Sequence, residues 1–418
     1  MLLLDKLHFS PTITNKDGEK IMKSRLVKIT GVIALLVVIL YAAARMFGPG
    51  MLENSLNRRI DHSPFDLSTA STDLHKTLTI MDWHADTMLW ERDLLSRSGR
   101  GQVDLPRLQD GGSAIQMFTT VTKTPRDQNV HSNDDTSDNI TLLSYLQGWP
   151  WATHNSLLAR ALYQAEKLDG FIKKSDGALM WVRNKGELEA FLEARRMATG
   201  QKPIAALLGT EGAHPLEGDI KNLDRMYDAG FRMVGLTHFF DNEIGGSLHG
   251  TEKGGLTEFG GEVVKRLDEL GIIIDLAHSS VATARDTLAI TTRPVVVSHT
   301  GFRGACDTER NFPDGLMKAI AERGGIIAVG MWRQAICGTT PEAVANSLAY
   351  GIKLVGADHV TLGSDWDGAV AAMPSDHLPA ITDALIKAGV SAADIRKVMG
   401  ESSVAFLQKW LPDAAEAQ

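Results

Sequence analysis

The sequence predicts a parallel (β/α)8 barrel of the TIM type, preceded by an N-terminal hydrophobic helix. Three observations carry this prediction. Eight short apolar runs recur at 78–81, 114–121, 204–208, 233–236, 272–276, 295–297, 326–329 and 360–362. They are rich in Val, Ile and Leu and bounded by Gly and polar residues, as strands buried on both faces are. Helical patterns fill most of the gaps between them, which is the alternation of a barrel of parallel strands. Six of the eight runs end in a His, Asp or Glu, and in such a barrel the C-terminal strand ends form one rim where chemistry is done.

The helical stretches follow in order. Residues 185–198 read as a helix. Residues 256–270 are amphipathic and stop at Gly271, a plausible C-cap. Residues 281–290 lie between the fifth and sixth runs, and 316–322 end at Gly324-Gly325. Residues 341–355 open with Pro341 just inside a Thr340 N-cap. Residues 376–388 and 392–411 close the chain. The longest connection, 122–203, predicts a segment that shapes the mouth of the site. An open doubly wound sheet is the alternative fold. The absence of Gly-x-Gly-x-x-Gly after the first run disfavours its nucleotide-binding form.

Composition bounds the class. The chain has 418 residues, 44% hydrophobic and 22% charged, an ordinary globular balance. A formal net charge of -8 and the lack of a basic stripe in the body argue against a nucleic-acid partner. The N-terminus differs from the rest. Lys20, Lys23, Arg25 and Lys28 cluster in a polar stretch, and residues 29–44 then carry no charge. Met46 and Phe47 extend the run to 29–47 if Arg45 snorkels. This predicts a basic cytoplasmic segment at 1–28 and a transmembrane signal-anchor at 29–47. A linker and lead-in helix at 48–77 would open with a break at Gly48-Pro49-Gly50, and the catalytic barrel would occupy 78–418. The body would face the periplasm or the outside, held at the inner membrane. The Ala42-x-Ala44 pattern keeps a cleaved signal peptide open, in which case the body is secreted.

The strand ends supply the candidate site. The first run leads into His84 and Asp86, and alternate residues of an extended strand point the same way. The third run ends in Glu211, the fourth in His238, the fifth in His278, the sixth in His299 and the eighth in Asp365. Three histidines and two carboxylates (His84, Asp86, Glu211, His278, His299) exceed what one tetrahedral zinc with an open position needs. They suit a pair of ions sharing a carboxylate, which holds a hydroxide at neutral pH. His238 and Asp365 remain for carbonyl polarisation and proton transfer. His214, His249, Asp241 and Asp367 fall near the same rim and read as structural. His62, His75, His131, His154, His359 and His377 lack this context and read as surface or packing residues.

Several stretches resemble one family in order and spacing. They are Asp82-Trp83-His84-Ala85-Asp86, Glu211-Gly212-Ala213-His214, Leu236-Thr237-His238 and Gly255-Leu256-Thr257-Glu258-Phe259-Gly260. They continue with Ile274-Asp275-Leu276-Ala277-His278, Ser298-His299, Arg310-Asn311-Phe312-Pro313-Asp314 and Gly363-Ser364-Asp365-Trp366-Asp367-Gly368. Over residues 75–411 the chain resembles the membrane (renal) dipeptidases, zinc-dependent members of the amidohydrolase-like barrels. The resemblance implies two Zn2+ per chain. His84 and Asp86 would bind one, Glu211 would bridge, and His278 and His299 would bind the second. It implies that His238 contacts the substrate near the scissile carbonyl and that Asp365 handles the proton. Arg310 would pair with the substrate carboxylate; by spacing alone it reads as a surface charge. The resemblance also implies a disulfide shortly before that arginine, for which Cys306 and Cys337 are the candidates.

The implied activity is hydrolysis of the peptide bond of dipeptides, a class that can include a C-terminal D-residue, by a metal-bridging hydroxide. Two alternatives stay open. One is another metal-dependent amidohydrolase acting on a cyclic amide, lactone or ester. The other is a catalytically inactive, membrane-tethered binding protein. Homodimerisation also stays open. The 122–203 connection and the 239–250 loop differ from the mammalian pattern, so substrate preference does not transfer in detail.

Overall fold

The structure, a computed structural model, describes residues 16–413. The first part of the expected basic segment, residues 1–15, lies outside the described residues. Two compact units divide the chain, one up to Gly48 and one from Pro49 onward. The helix Lys16–Leu56 makes up the described part of the first and continues to Leu56. Its apolar side chains, among them Ile29, Leu35, Val38 and Leu40, are exposed. It is long and apolar enough to cross a membrane.

The expected break at Gly48-Pro49-Gly50 is not a break. The chain stays helical through Pro49 although proline removes a backbone donor. The reason is tertiary. Glu53 and Asn57 are buried within the second unit, and Glu53 pairs with Arg92 at 2.6 Å and with Arg100 at 3.0 Å. The expected lead-in helix is present as Thr69–His75, capped by the Ser68 side chain.

Nine parallel strands follow. They are β1 (Ile80–Ala85), β2 (Ser113–Val121), β3 (Leu179–Trp181), β4 (Ile204–Glu211) and β5 (Phe231–Gly235). The remainder are β6 (Ile273–Asp275), β7 (Val296–Thr300), β8 (Ile326–Val329) and β9 (Val360–Leu362). The hydrogen-bonded order is β2-β1-β9-β8-β7-β6-β5-β4, and β2 pairs with β4 to close an eight-stranded barrel. Every barrel residue in these strands is buried, as the unalternating apolar runs require. The ninth strand, β3, is extra: it pairs with Ile204–Ala206 at the start of β4, while β5 takes Leu208–Thr210 beyond it. Leu179-Met180-Trp181 carries no β-branched residue, so it did not stand out beside the Val- and Ile-rich runs.

The helices close the outer layer where the patterns place them. Glu258–Leu270 is capped by Thr257 and ends at left-handed Gly271 (φ 70°). Pro341–Val355 is capped by Thr340. Each such cap is worth about 1 kcal/mol. The long connection after β2 is an ordered structure in its own right. It holds helices Asn139–Gln147, Leu157–Lys174 and Lys185–Met197. Buried Arg160 ties it down by donating to Thr153 O at 2.7 Å, Thr122 O at 2.6 Å and Asp138 Oδ2 at 2.6 Å.

Cys306 and Cys337 form a disulfide across 31 residues. By the loop-entropy relation, removing both thiols by serine substitution should cost about 3–4 kcal/mol of unfolding free energy. A urea melt of the Cys306→Ser/Cys337→Ser protein that coincides with the parent would contradict this.

Candidate metal centre

The barrel turns a scattered set of residues into one cluster. Strand β1 carries His84, and Asp86 follows it; β4 carries Glu211; β7 carries His299. The loops after β5, β6 and β9 carry His238, His278 and Asp365. All are buried. Glu211 is the centre. Its Oε1 lies 3.0 Å from His278 Nε2, 3.2 Å from His299 Nε2 and 3.6 Å from His84 Nε2. Its Oε2 lies 3.1 Å from His238 Nε2. Asp86 Oδ1 is 3.6 Å from His84 Nε2.

Three overlapping groups offer ligand atoms within 4.8 Å of one another. These are His84, Asp86 and Glu211; Glu211, His238 and His278; and His84, His299 and Asp365. Glu211 belongs to two of them. Asp365, which the spacing assigned to proton transfer alone, thus also presents a carboxylate to the same space as two imidazoles.

Electrostatics explain what the cluster needs. Burial drives the pKa values of His238, His278 and His299 well below the usual imidazole range, so their ring nitrogens hold free lone pairs. Burial, with Asp86 adding, pushes Glu211 well up. Burial pushes Asp365 up to about 8, with His84 opposing and Asp86 adding. Against the cost of its own burial, His84 is held at about 10 by Asp86 and Glu211. His84 Nε2 and Asp86 Oδ2 are buried and hydrogen-bond to no protein group. His278 Nε2 and His299 Nε2 stand 2.8 Å apart. Neutral imidazoles and crowded carboxylates aimed at a common space fit divalent cations, which supply the missing positive charge.

A polar layer beneath fixes these side chains. Ser298 Oγ meets His84 Nδ1 at 3.0 Å and His299 Nδ1 at 2.9 Å, and donates to Asp275 Oδ2 at 2.6 Å. Thr119 donates to Asp86 Oδ1 at 2.7 Å. The buried Asp82 carboxylate accepts from Gln116 Nε2 at 2.8 Å and from the Ser364 amide at 2.7 Å. The first-glance pattern of strand-end histidines missed Ser298, Asp275 and Thr119. The signal available for Ser298 and Asp275 was their position next to, and three residues before, a ligand. His278 and Asp365 both adopt left-handed backbone (φ 64° and 62°). Gly368 is needed beside them, because a Cβ there would collide with Asp365 Oδ1 and sit 2.9 Å from Asp86 Oδ2.

Arg310 is buried, not a surface charge. It donates to His299 O at 2.9 Å, lies 3.3 Å from His278 Nε2 and covers the Trp332 ring at 5.2 Å. The disulfide and Asn311, which donates to Cys306 O and Ala335 O, hold its loop. The cluster opens into a cavity of about 1040 Å³. Its polar floor includes Asp86, Glu211, His238, His278, Arg310 and Asp365. Its outer wall includes Leu143 and Leu146 of the long connection and Leu52 and Leu56 from the end of the first helix. His249 packs on Phe239 near the site with its Nδ1 against Val130 O, and Asp367 is a buried anchor for Thr87 and Gln102.

A sequence model of the membrane dipeptidases, peptidase family M19, matches residues 69–410. The chain belongs to this family. The match takes in all eight barrel strands and every residue of the cluster. Among similar proteins, the dipeptidase verJ of Clonostachys rogersoniana is 30% identical over 258 residues, 60% of this chain and 64% of its own. The dipeptidase aclJ of Aspergillus oryzae is 33% identical over 208 residues, 47% of this chain and 49% of its own. The chain thus spans less than two thirds of the length of these fungal relatives. Solved structures with the same fold include a metallopeptidase from Rhodobacter sphaeroides bound to a phosphinate mimic of L-Ala-D-Ala (22% identity, TM-score 0.65, covering 80% of this chain and 99% of that one). An amidohydrolase from Pseudomonas aeruginosa is similar at 21% identity and TM-score 0.63, covering 82% of this chain and 99% of that one.

Within this family member, Ser298 bonds two of the imidazoles at once. Ser298→Ala should therefore weaken retention of a bound divalent metal about 10–100-fold, as losses of ligand-orienting partners do. Competition with a chromogenic chelator reads this directly, and unchanged retention would refute the orienting role.

Proposed function

We propose that the chain is a dipeptidase that uses two zinc ions, held by His84, Asp86, Glu211, His278 and His299, with Asp365 adding a carboxylate. The observation that supports it above all is Glu211: one carboxylate shared between two groups of buried donors, with Arg310 beside them. When bound, the metals supply Lewis acidity for the scissile carbonyl and lower the pKa of water.

The chain's own residues do the rest. Arg310 holds the carboxylate of the substrate's C-terminal residue with its planar fork, so only peptides with a free carboxylate at that distance register correctly. His238 donates to the carbonyl oxygen as charge develops there. Asp365 takes the proton from the attacking water. It passes that proton to the amine as the C–N bond breaks, leaving two free amino acids. The carboxylate checkpoint places no demand on the configuration of the C-terminal residue, so dipeptides ending in a D-residue belong in the proposed class.

Chelation should abolish dipeptide hydrolysis, and added zinc should restore it. Asp365→Asn should lower kcat about 10²–10⁴-fold. Arg310→Lys should raise KM about 10–100-fold through loss of a charged bidentate contact. Measurement is by amino-acid release from a panel of L,L- and L,D-dipeptides. Full activity after chelation would overturn the role of the metals, and no cleavage of any dipeptide would overturn the substrate class and favour a cyclic amide, lactone or ester.

The exposed apolar helix behind Lys20, Lys23, Arg25 and Lys28 supports an inner-membrane anchor with the barrel on the periplasmic side. Protease added to spheroplasts should then digest the barrel and spare the helix. Digestion only after lysis would place the barrel in the cytoplasm.

A further inference from the structure

We propose that Glu53 and Asn57, at and just past the end of helix Lys16–Leu56, are positioning residues of the active site that act through the turn carrying Asp365. The inference rests on the role given to Asp365 above.

That turn is costly to hold. Asp365, Asp367 and Ala369 all have left-handed backbone, with φ of 62°, 62° and 61°. Non-glycine residues pay up to roughly 1–2 kcal/mol each in this region, and such strain persists only where the surroundings over-determine it. Among the described residues, no group hydrogen-bonds to the Asp365 carboxylate. Within the protein its place is therefore set by the backbone of the turn, whatever a bound metal adds.

The backbone is held from the N-terminal side. Asn57 Oδ1 accepts from the Ala369 amide at 2.9 Å. Glu53 Oε1 lies 2.6 Å from Arg92 Nε, and the same guanidinium donates to Asp367 Oδ2. The Asp367 carboxylate also accepts from the Gln102 amide at 2.7 Å and from Thr87 Oγ1 at 2.8 Å. Gln102 returns the contact, accepting from the Asp367 amide at 2.8 Å and donating to Val370 O at 2.7 Å and Arg58 O at 3.2 Å. Two backbone bonds finish the seam, Ile60 N to Ala372 O at 2.9 Å and Ala372 N to Arg58 O at 3.1 Å.

Glu53 and Asn57 are each 1% exposed and Asp367 is 0% exposed, so this chain of charges is poorly screened by water. Residues 53–57 also precede the stretch that the family model matches. One side of the seam, residues 53–60, therefore lies outside the stretch that the family model matches, while the Asp365 turn, Arg92 and Gln102 lie inside it. The effect of the seam is to make correct placement of Asp365 conditional on the segment that ends the helix.

The test is a double-mutant cycle in the full-length, zinc-loaded protein, with thermal melts to confirm folding. Asn57→Leu and Glu53→Gln should each lower kcat on the best dipeptide of the panel about tenfold, with KM within about twofold. Asn57→Asp keeps the acceptor for the Ala369 amide and should recover activity to within about threefold of the parent. In an Asp365→Asn background, Asn57→Leu should change the residual kcat less than about twofold, because its target is gone. Equal tenfold losses in both backgrounds would mean general loosening and would overturn the proposal. If Asn57→Leu does not fold, Glu53→Gln carries the same cycle. If Asp365→Asn alone keeps full turnover, the role of Asp365 is wrong. The seam is then judged by the visible spectrum of the Co2+-loaded protein. A changed band shape in Asn57→Leu upholds it, and an unchanged spectrum refutes it.

Discussion

The buried Glu211 carboxylate is the constraint on which the structure turns. One of its oxygens faces three imidazole nitrogens at 3.0–3.6 Å and the other faces a fourth at 3.1 Å. A carboxylate so deep costs several kcal/mol unless positive charge answers it. Of the four histidines around it, His84 is held at about 10 but is shared with Asp86, and burial drives His238, His278 and His299 well below the usual imidazole range. The barrel thus builds a deficit of positive charge at a chosen point. That deficit is what makes the rim a site for divalent cations rather than a set of polar strand ends.

The deficit is held in place by rigid neighbours. Strand register brings Glu211 level with Val121 across the closing β2–β4 pair, so barrel closure itself locates the shared carboxylate. Beneath it, Ser298 joins two imidazoles to Asp275, and Asp82 joins β1 to β2 and to the loop after β9. His278 and Asp365, which belong to the ligand groups, both have left-handed backbone. Strain of this kind is retained where a fixed frame leaves the chain no alternative. The frame here is a network of buried charges and hydrogen bonds, each part of which depends on the others being formed.

Outside the barrel, two added segments decide access and support. The long connection after β2, pinned by Arg160, places Leu143 and Leu146 along the cavity. The end of the first helix contributes Leu52 and Leu56 to the same wall; Asn57, just past it, bonds the turn that bears Asp365, and Glu53 reaches that turn through Arg92. The last turns of that helix, from Pro49 onward, thus belong to the second compact unit.

Much of this was legible in the chain. The eight unalternating apolar runs, interleaved with helices, pointed to parallel strands buried on both faces, which a barrel and an open doubly wound sheet share. Closure through the β2–β4 pair was decided by the tertiary structure. The residues closing those runs, from His84 to Asp365, determined the candidate ligands, because strand ends share a rim. Thr257, Gly271 and Thr340 determined helix ends through local hydrogen bonding and backbone freedom. Other features needed the tertiary structure. Arg310 reads as a surface charge until the disulfide-held loop carries it against His278 and His299. Pro49 reads as a break until the burial of Glu53 and Asn57 outweighs one missing backbone bond. Strand β3 has no β-branched residue to mark it. Asp365 faces the ligand groups through a turn whose strain is balanced by residues about 310 positions earlier in the chain. Local pattern determines elements and their ends, because the forces that set them act over a few residues. Only the folded barrel decides which distant charges are brought together and left without water.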